Sequence, residues 1–241
     1  MAESSAITIP QKARHALLVR ATHWLTVAAS LALLITGGEI VVSHPRFYLG
    51  ETGNMNVKPL FQLPIPSSRE KVVTGYNYVL PDQNGWSRAL HFEAAWILVL
   101  TGLIYCGWSL FGGHLRRNLV PAKGERNLCA LGHVLAHYLK RAPLAKDSRY
   151  NALQQVTYLA VIFVLFPLMI WTGLDLSPAF SGVCPWAVIA MGGRQTARTL
   201  HFFFSLTLVL FVVVHVAMVV RSGFRSKMRC MILGRETEDE G

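Results

Sequence analysis

Charge is scarce in this 241-residue chain, and acid is scarcest: 13 Asp and Glu stand against 23 Lys and Arg, with only 15% of residues charged. A soluble domain usually carries about a quarter, and here the charges are also clumped, which argues against an ordinary water-soluble globule. There is no CxxC pair and no metal-type cysteine spacing among the four cysteines, so neither a thiol redox motif nor a zinc framework is expected. Cys129 and Cys230 fall on one side of the apolar windows described below, Cys106 inside one of them and Cys184 alone on the other side. A structural disulfide is therefore not expected. No short apolar core followed by a small-residue cleavage site precedes the first window, which is expected to be retained. Internal repeats and low-complexity tracts are absent as well.

What the chain has instead is long apolar runs. A helix needs roughly 20 mainly apolar residues to cross the hydrocarbon core, and four windows qualify, at approximately 18–42, 89–111, 151–174 and 199–220. The expected fold is an all-α integral membrane protein, one four-transmembrane-helix bundle occupying residues 1–241 as a single domain. The net charge of +10 is distributed unevenly: the N-terminal tail, the 114–150 segment and the C-terminal tail hold 3, 8 and 5 Lys/Arg, against 5 and 2 in segments 43–88 and 175–198. By the positive-inside rule the N and C termini are cytoplasmic. The basic surface then faces anionic lipid, and no nucleic-acid partner is needed. Segment 43–88, rich in Pro, Gly and Asn, reads as an irregular outer cap with a short strand or helix near Lys71–Tyr78. A docking surface and a passive lid explain it equally well. Segment 114–150 reads as a cytoplasmic loop with an amphipathic surface helix around Leu128–Leu139.

Four of the nine histidines lie inside the windows: His23, His91, His201 and His215. Ionisable groups in a bilayer are costly, face the bundle interior and mark function by default. Depth sorts them. His23 follows Arg20 by three residues near the inner surface, whereas His91 and His201 follow Arg88 and Arg198 by three near the outer one. His215 precedes Arg221 by six, near the inner surface. The expected pairs are His23 with His215 and His91 with His201. His201 and His215 are 14 positions apart, a rise of roughly 21 Å on nearly one helical face. Two levels so far apart suit two stacked cofactors and not one metal ion, whose ligands meet within a few ångströms. A porphyrin iron with an axial imidazole from each of two helices satisfies the pattern, and such ligation leaves the iron for electron transfer.

Flat macrocycles need small neighbours. Gly37 falls near the outer level and Gly102 near the inner one, although small residues also serve plain helix contact in membranes. Arg20, Arg88 and Arg198 are placed to pair with haem propionates; as interfacial anchors they need no such role. His133 and His137 have the i, i+4 spacing of a metal pair but no further ligand, and read as surface residues. Glu39 and Glu93 read as interfacial acids or as tuning groups for the outer site.

Arg20-Ala-Thr-His23-Trp24 opening the first span, a histidine opening the second, and two histidines 14 apart in the last resemble the bacterial di-haem cytochrome b superfamily. It includes cytochrome b subunits of nickel-iron hydrogenases, formate dehydrogenases and thiosulfate reductases. The stretch Tyr150-Asn151-Ala152-Leu153-Gln154-Gln155, followed by Pro167, Gly173 and Ser177-Pro178, is most similar to the thiosulfate-reductase-type group. The resemblance implies two haems b, and a quinone (ubiquinone or menaquinone) held by Asn151 and Gln154 beside the inner haem. It also implies a periplasmic molybdopterin oxidoreductase as partner and a multi-pass location in the bacterial inner membrane. Relatives carry glycine where Leu153 stands, and helix N-capping by Asn151 explains the amides without a ligand. The expected function is electron transfer between the quinone pool and that partner. Two rival readings are a single-subunit superoxide:quinone oxidoreductase and a haem-free membrane anchor or transporter.

Overall fold

Backbone N–H and C=O groups find no water in hydrocarbon, so apolar stretches of membrane length must close their hydrogen bonds within helices. The structure, a computed structural model, describes residues 15–53, 56–65, 84–121 and 152–234. Among them, four helical spans are long and apolar enough to cross a membrane. They are α1 (Leu17–Ser43), α2 (Asn84–Phe111), a third span made of α3 (Ala152–Ala160) and α4 (Phe166–Asp175), and α7 (Arg194–Arg221). Helices α2 and α7 begin five residues earlier than the apolar windows suggest. Hydropathy marks entry into hydrocarbon, whereas a hydrogen-bonded helix continues through the headgroup zone: 28 residues reach about 42 Å at ~1.5 Å each, beyond the ~30 Å core.

The third span is continuous but not uniform. Between α3 and α4 the turn Val161–Leu165 is π-helical, and Pro167 sits in the first turn that follows. Proline lacks an N–H and its ring clashes with the carbonyl four residues back; a widened turn at that place accommodates both faults.

An even number of spans puts the start of α1 and the end of α7 at one face of the bundle, here the terminal face, and residues 44–65 and 176–193 at the other, the loop face. At the loop face α5 (Pro178–Val183) and α6 (Pro185–Ala190) are short helices, each with proline in its first turn. At the terminal face α8 (Phe224–Ile232) follows a left-handed Gly223. The Trp24 indole donates to the Met231 carbonyl at 3.1 Å and ties α8 to α1. Helix α2 runs out through Gly113 into a π-helical turn, Leu115–Leu119. There the Trp108 ring packs on His114 at 4.8 Å. Burial, and then the Arg117 guanidinium, hold the His114 imidazole below its ordinary value. Residues 66–83 and 122–151, with the elements expected at Lys71–Tyr78 and Leu128–Leu139, and His133, His137 and Asn151, lie outside the described residues.

The spans associate as two pairs, α1 along α2 and α4 along α7. Most of the residues buried along them are small, Ala29, Thr36, Ala94, Thr101, Ser109, Thr172 and Ala197 among them, with Leu98 and Val161 as larger exceptions. Leu and Val side chains are mostly exposed, as lipid-facing side chains must be. A bundle interior lined with Ala, Ser and Thr leaves room between the pairs.

The described part of the cap is folded against the head of α7. Strands β1 (Arg46–Phe47) and β2 (Phe61–Gln62) pair antiparallel, with Arg46 opposite Gln62 and Phe47 opposite Phe61. Phe47, 2% exposed, stacks on Phe61 at 4.6 Å and packs on Phe202 at 4.5 Å. The Arg198 guanidinium donates to the His44 and Arg46 carbonyls and lies 5.3 Å from the Phe47 ring centre. Thr199 donates to the Tyr48 carbonyl at 2.7 Å, and the Arg194 N–H donates to the Glu51 carboxylate at 3.0 Å. Gly193, at φ 102°, lets the chain touch itself: a Cβ there would come within 2.5 Å of the Gly50 carbonyl.

Arg198 carries the densest of these contacts. Hydrogen bonds to charged groups contribute about 1.5–3 kcal/mol each, so Arg198→Ala should detach segment 44–51 while the spans stay helical. The expected outcome is faster proteolysis between His44 and Ile65 with unchanged far-UV dichroism, and Arg198→Lys should fall between.

Candidate functional site

All four intramembrane histidines point into the space between the two helix pairs. His23 of α1 faces His215 of α7, with ring centres 6.4 Å apart. His91 of α2 faces His201 of α7, with ring centres 6.3 Å apart. A metal–nitrogen bond is about 2 Å and an imidazole centre lies about 1 Å beyond its nitrogen, so two rings opposed across one metal stand roughly 6 Å apart. Both pairs have that separation. Among the described residues no cluster of three or more His, Cys, Asp or Glu is gathered as a metal site, so each level offers two imidazole donors and no third. Two opposed imidazoles are the axial donor set of an electron-transfer haem, whose own four nitrogens supply the rest.

The loop-face pair is held with particular care. Thr36 and Thr172 are fully buried. Thr36 Oγ1 lies 2.9 Å from His91 Nδ1 and Thr172 Oγ1 lies 3.0 Å from His201 Nδ1. Each hydroxyl has one proton, and each donates it to a helix carbonyl four residues back: Thr36 to Ala32 at 2.7 Å, Thr172 to Leu168 at 2.9 Å. The hydroxyl oxygen is left as acceptor, so Nδ1 of each histidine donates. Both rings are thereby fixed as the tautomer whose Nε2 lone pair is free to bind a metal, the outer-shell arrangement of metal-binding histidines. The terminal-face pair differs. His23 Nδ1 is buried with no hydrogen-bond partner among the described residues, and its ring meets Trp24 edge-on at 5.3 Å. Tyr158 of α3 and Phe211 of α7 pack on His215 at 6.3 and 5.7 Å.

The glycines fall as follows. A Cβ on Gly37 would lie 3.5 Å from the His91 ring, and one on Gly173 would lie 3.1 Å from the His201 ring. Gly102 faces open space, with no atom within 4 Å of where its Cβ would be. The arginines separate. Arg20 has a buried Nε without a partner among the described residues, Arg88 is exposed on α2, and Arg198 is turned to the cap carbonyls. Glu93 is exposed and Glu39 half-buried. Gln154 lies on α3 one turn before Tyr158 and so on the side of His215.

The sequence reading did not single out Thr36 or Thr172. A signal was present: Thr-Gly occurs once in each of the first three spans, at Thr36-Gly37, Thr101-Gly102 and Thr172-Gly173. Two of these dipeptides each set a hydroxyl and a bare Cα against one imidazole. Asp175 was also missed. It ends α4, is fully buried, and neither carboxylate oxygen has a partner among the described residues.

The comparisons with known proteins agree with this architecture. The family described as prokaryotic cytochrome b561 matches residues 14–234. A protein of Azospira oryzae that carries the name of a protein-methionine-sulfoxide reductase subunit, YedZ1, is 32% identical over 206 residues, covering 83% of this chain and 87% of its own. Proteins that carry the name of Ni/Fe-hydrogenase B-type cytochrome subunits are similar too. That of Azotobacter vinelandii is 27% identical, covering 87% of this chain and 80% of its own. That of Cupriavidus necator is 26% identical, covering 91% and 84%. A family of b-type cytochromes implies haem b, and four apolar spans make the chain a multi-pass protein of the bacterial inner membrane. The chain is a member of the prokaryotic cytochrome b561 family, a membrane electron-transfer subunit.

Proposed function

We propose that this cytochrome holds two haems b, one between His91 and His201 and one between His23 and His215, and passes electrons between the membrane quinone pool and a redox enzyme docked at the loop face. The observation that carries the reading is the recurrence of one ring separation, 6.3 and 6.4 Å, at two levels of the same slot. Bound haem supplies one-electron chemistry at each level. The protein's part is to present the Nε2 lone pairs, to exclude water with lipid-facing side chains, and to keep the slot free of large residues.

The asymmetry of Lys and Arg, 16 against 7, supports a cytoplasmic terminal face. The quinone then binds near the inner pair, with Gln154, and Asn151 before it, as amide partners for a carbonyl. Tyr158, on the same side of α3 as Gln154, touches His215, which supports that location. Converting quinone to quinol takes two electrons and two protons; at this face the protons exchange with the cytoplasm. On the proposed periplasmic side the described part of the cap, 44–53 and 56–65, is tied to the head of α7 through Arg198 and Glu51 and offers a platform on the side of His91 and His201. That suits a docked enzyme, and relatives named as reductase and hydrogenase subunits favour a subunit role. We assign the partner to the molybdopterin oxidoreductases, on the resemblance of Asn151–Gln155 and Ser177-Pro178 to the thiosulfate-reductase-type group.

The first test is to quantify haem by pyridine haemochrome and to split the reduced-minus-oxidised spectrum by redox titration. The full chain should hold two haems, and His215→Ala should remove one spectral component and leave the other. Loss of both alike with the helices intact, or of neither, would overturn the pairing. A second test reads the hydroxyls. A donated Nδ1 proton makes imidazole a more basic ligand and favours the oxidised metal. Thr172→Val should therefore raise the midpoint potential of the His91/His201 haem on the order of tens of millivolts, with the other haem unmoved, while Thr172→Ser preserves it.

A further inference from the structure

The spans do not all reach equally far toward the loop face. His91 and His201, with Thr36 and Thr172 against them, mark one level. From that level α1 runs on seven residues, from Thr36 to Ser43, and α2 and α7 start seven residues before His91 and His201, at Asn84 and Arg194. Helix α4 stops three residues beyond Thr172, at Asp175. At ~1.5 Å per residue the other spans rise about 10.5 Å above the level and α4 only about 4.5 Å. The third span therefore ends about 6 Å lower than its neighbours. The chain that follows it, α5 and α6, fills the step beside the head of α7.

Depth follows from the same count. The two histidine levels lie roughly 21 Å apart; centred in a ~30 Å core, they put the end of α4 about 15 Å from the midplane, where hydrocarbon ends, and the head of α7 about 21 Å out, among head groups. Segment 176–193 begins and ends within that zone, and its chemistry fits it. It holds no Asp, Glu, Lys, Arg or His, whereas the described cap carries Arg46, Glu51 and Lys58. The N–H groups of Ser181, Cys184, Ala187, Met191, Gly192 and Gly193 all donate to carbonyls within the segment, as surroundings poor in water require. The Ser181 hydroxyl accepts from the Arg194 guanidinium at 2.6 Å. Side chains are sorted too: Ala187 and Val188 are buried, while Val183, Trp186 and Ile189 are 81%, 66% and 75% exposed. Trp186 and Ile189, three apart, share one face of α6, and tryptophan is enriched where membrane meets water.

We infer that α5 and α6 form a lipid-binding surface at the loop face, seated in the bilayer interface with Val183, Trp186 and Ile189 against the acyl chains of that leaflet. Depth and charge select lipid over a water-soluble protein. A surface that starts where hydrocarbon ends and carries no charge continues the lipid-facing sides of the spans and offers nothing to the polar rim of a docked enzyme. The Arg194–Ser181 bond links this surface to the head of α7, the helix that carries His201, so the leaflet bears on the axial position of that helix. None of this needs a haem or a quinone. On the docked-enzyme reading it adds that the partner's footprint lies on the cap side, residues 44–65, and not over 178–190.

The test places one nitroxide label at a time on the full chain in lipid nanodiscs, with the native cysteines changed to serine. The labelled variants are Val183→Cys and Ile189→Cys, with Leu49→Cys in the cap and Leu210→Cys in the middle of α7 as references, both exposed positions. Collisions with oxygen, which partitions into lipid, are compared with collisions with a water-soluble nickel chelate. The oxygen-to-chelate ratio at Val183→Cys and Ile189→Cys should exceed that at Leu49→Cys several-fold and approach that at Leu210→Cys. A ratio equal to that at Leu49→Cys would put the surface in water, and shielding from both reagents would mean that protein covers it. Either result overturns the lipid surface and leaves the docked-enzyme reading standing. Should the cysteine-free chain not fold, a phospholipid with a photoreactive acyl chain decides on the unaltered protein. Label within 178–190 supports the surface, and label confined to the four spans overturns it.

Discussion

Two imidazoles held about a ring's width apart in hydrocarbon set the terms for everything else in this bundle. An ionisable side chain at that depth is costly, and engaging its polar atoms lowers the cost. At the loop face the engagement is explicit, Nδ1 to a threonine that has already spent its proton on a helix carbonyl. The threonine does two jobs with one oxygen. Back-bonding to the i−4 carbonyl fixes its rotamer, and the fixed rotamer fixes the imidazole. A serine performs this less rigidly, because only the β-branched side chain is stiff at χ1.

The slot follows from the same requirement. Rings that must face each other at 6.3–6.4 Å cannot sit on helices packed as closely as those of an ordinary membrane bundle, so the spans gather as α1 with α2 and α4 with α7. Small buried residues line the space, and Gly37 and Gly173 let a neighbouring backbone come against the His91 and His201 rings. Helix α7 donates one histidine to each level, which makes its axial position and rotation critical. The cap supplies that control: Arg198, Thr199, Thr196 and Gly193 all tie the head of α7 to segment 44–51. An apolar helix without such ties would slide or rotate in lipid at little cost, since hydrophobicity does not distinguish one lipid-facing register from another.

Long-range order in the sequence was readable; local partnership was not. Four apolar windows and the Lys/Arg asymmetry suffice for four spans, because hydrocarbon leaves the backbone no alternative to helix. The 14-residue interval between His201 and His215, with arginine marking each depth, was enough to sort the rings into the two pairs that face each other. The threonines stayed hidden because threonine back-bonds in many membrane helices, and nothing in one sequence says which of them also meets a histidine. Arg198 stayed partly hidden in a related way. Its depth suggested a propionate partner or an interfacial anchor, and its bonds to the backbone carbonyls of His44 and Arg46, more than 150 residues away, leave no trace in sequence. Helices α5 and α6 were missed for a plainer reason: six residues are too few for a periodic signal.

The two imidazole levels are not equivalent, and their inequality has a direction. At the loop face both rings donate to neutral hydroxyls and are pinned, under a cap that is itself pinned. At the terminal face His23 Nδ1 has no partner among the described residues, and His215 is packed by the rings of Tyr158 and Phe211. More basic ligands stabilise the oxidised metal, so on the proposed two-haem reading ligand hydrogen bonding alone would set a loop-face haem below the other in potential. Electrons entering beneath the cap would then run downhill toward the face where Gln154 and Tyr158 lie on the His215 side of α3. On that reading a quinone and a partner enzyme would meet opposite faces of the bundle and would not compete for the same surface.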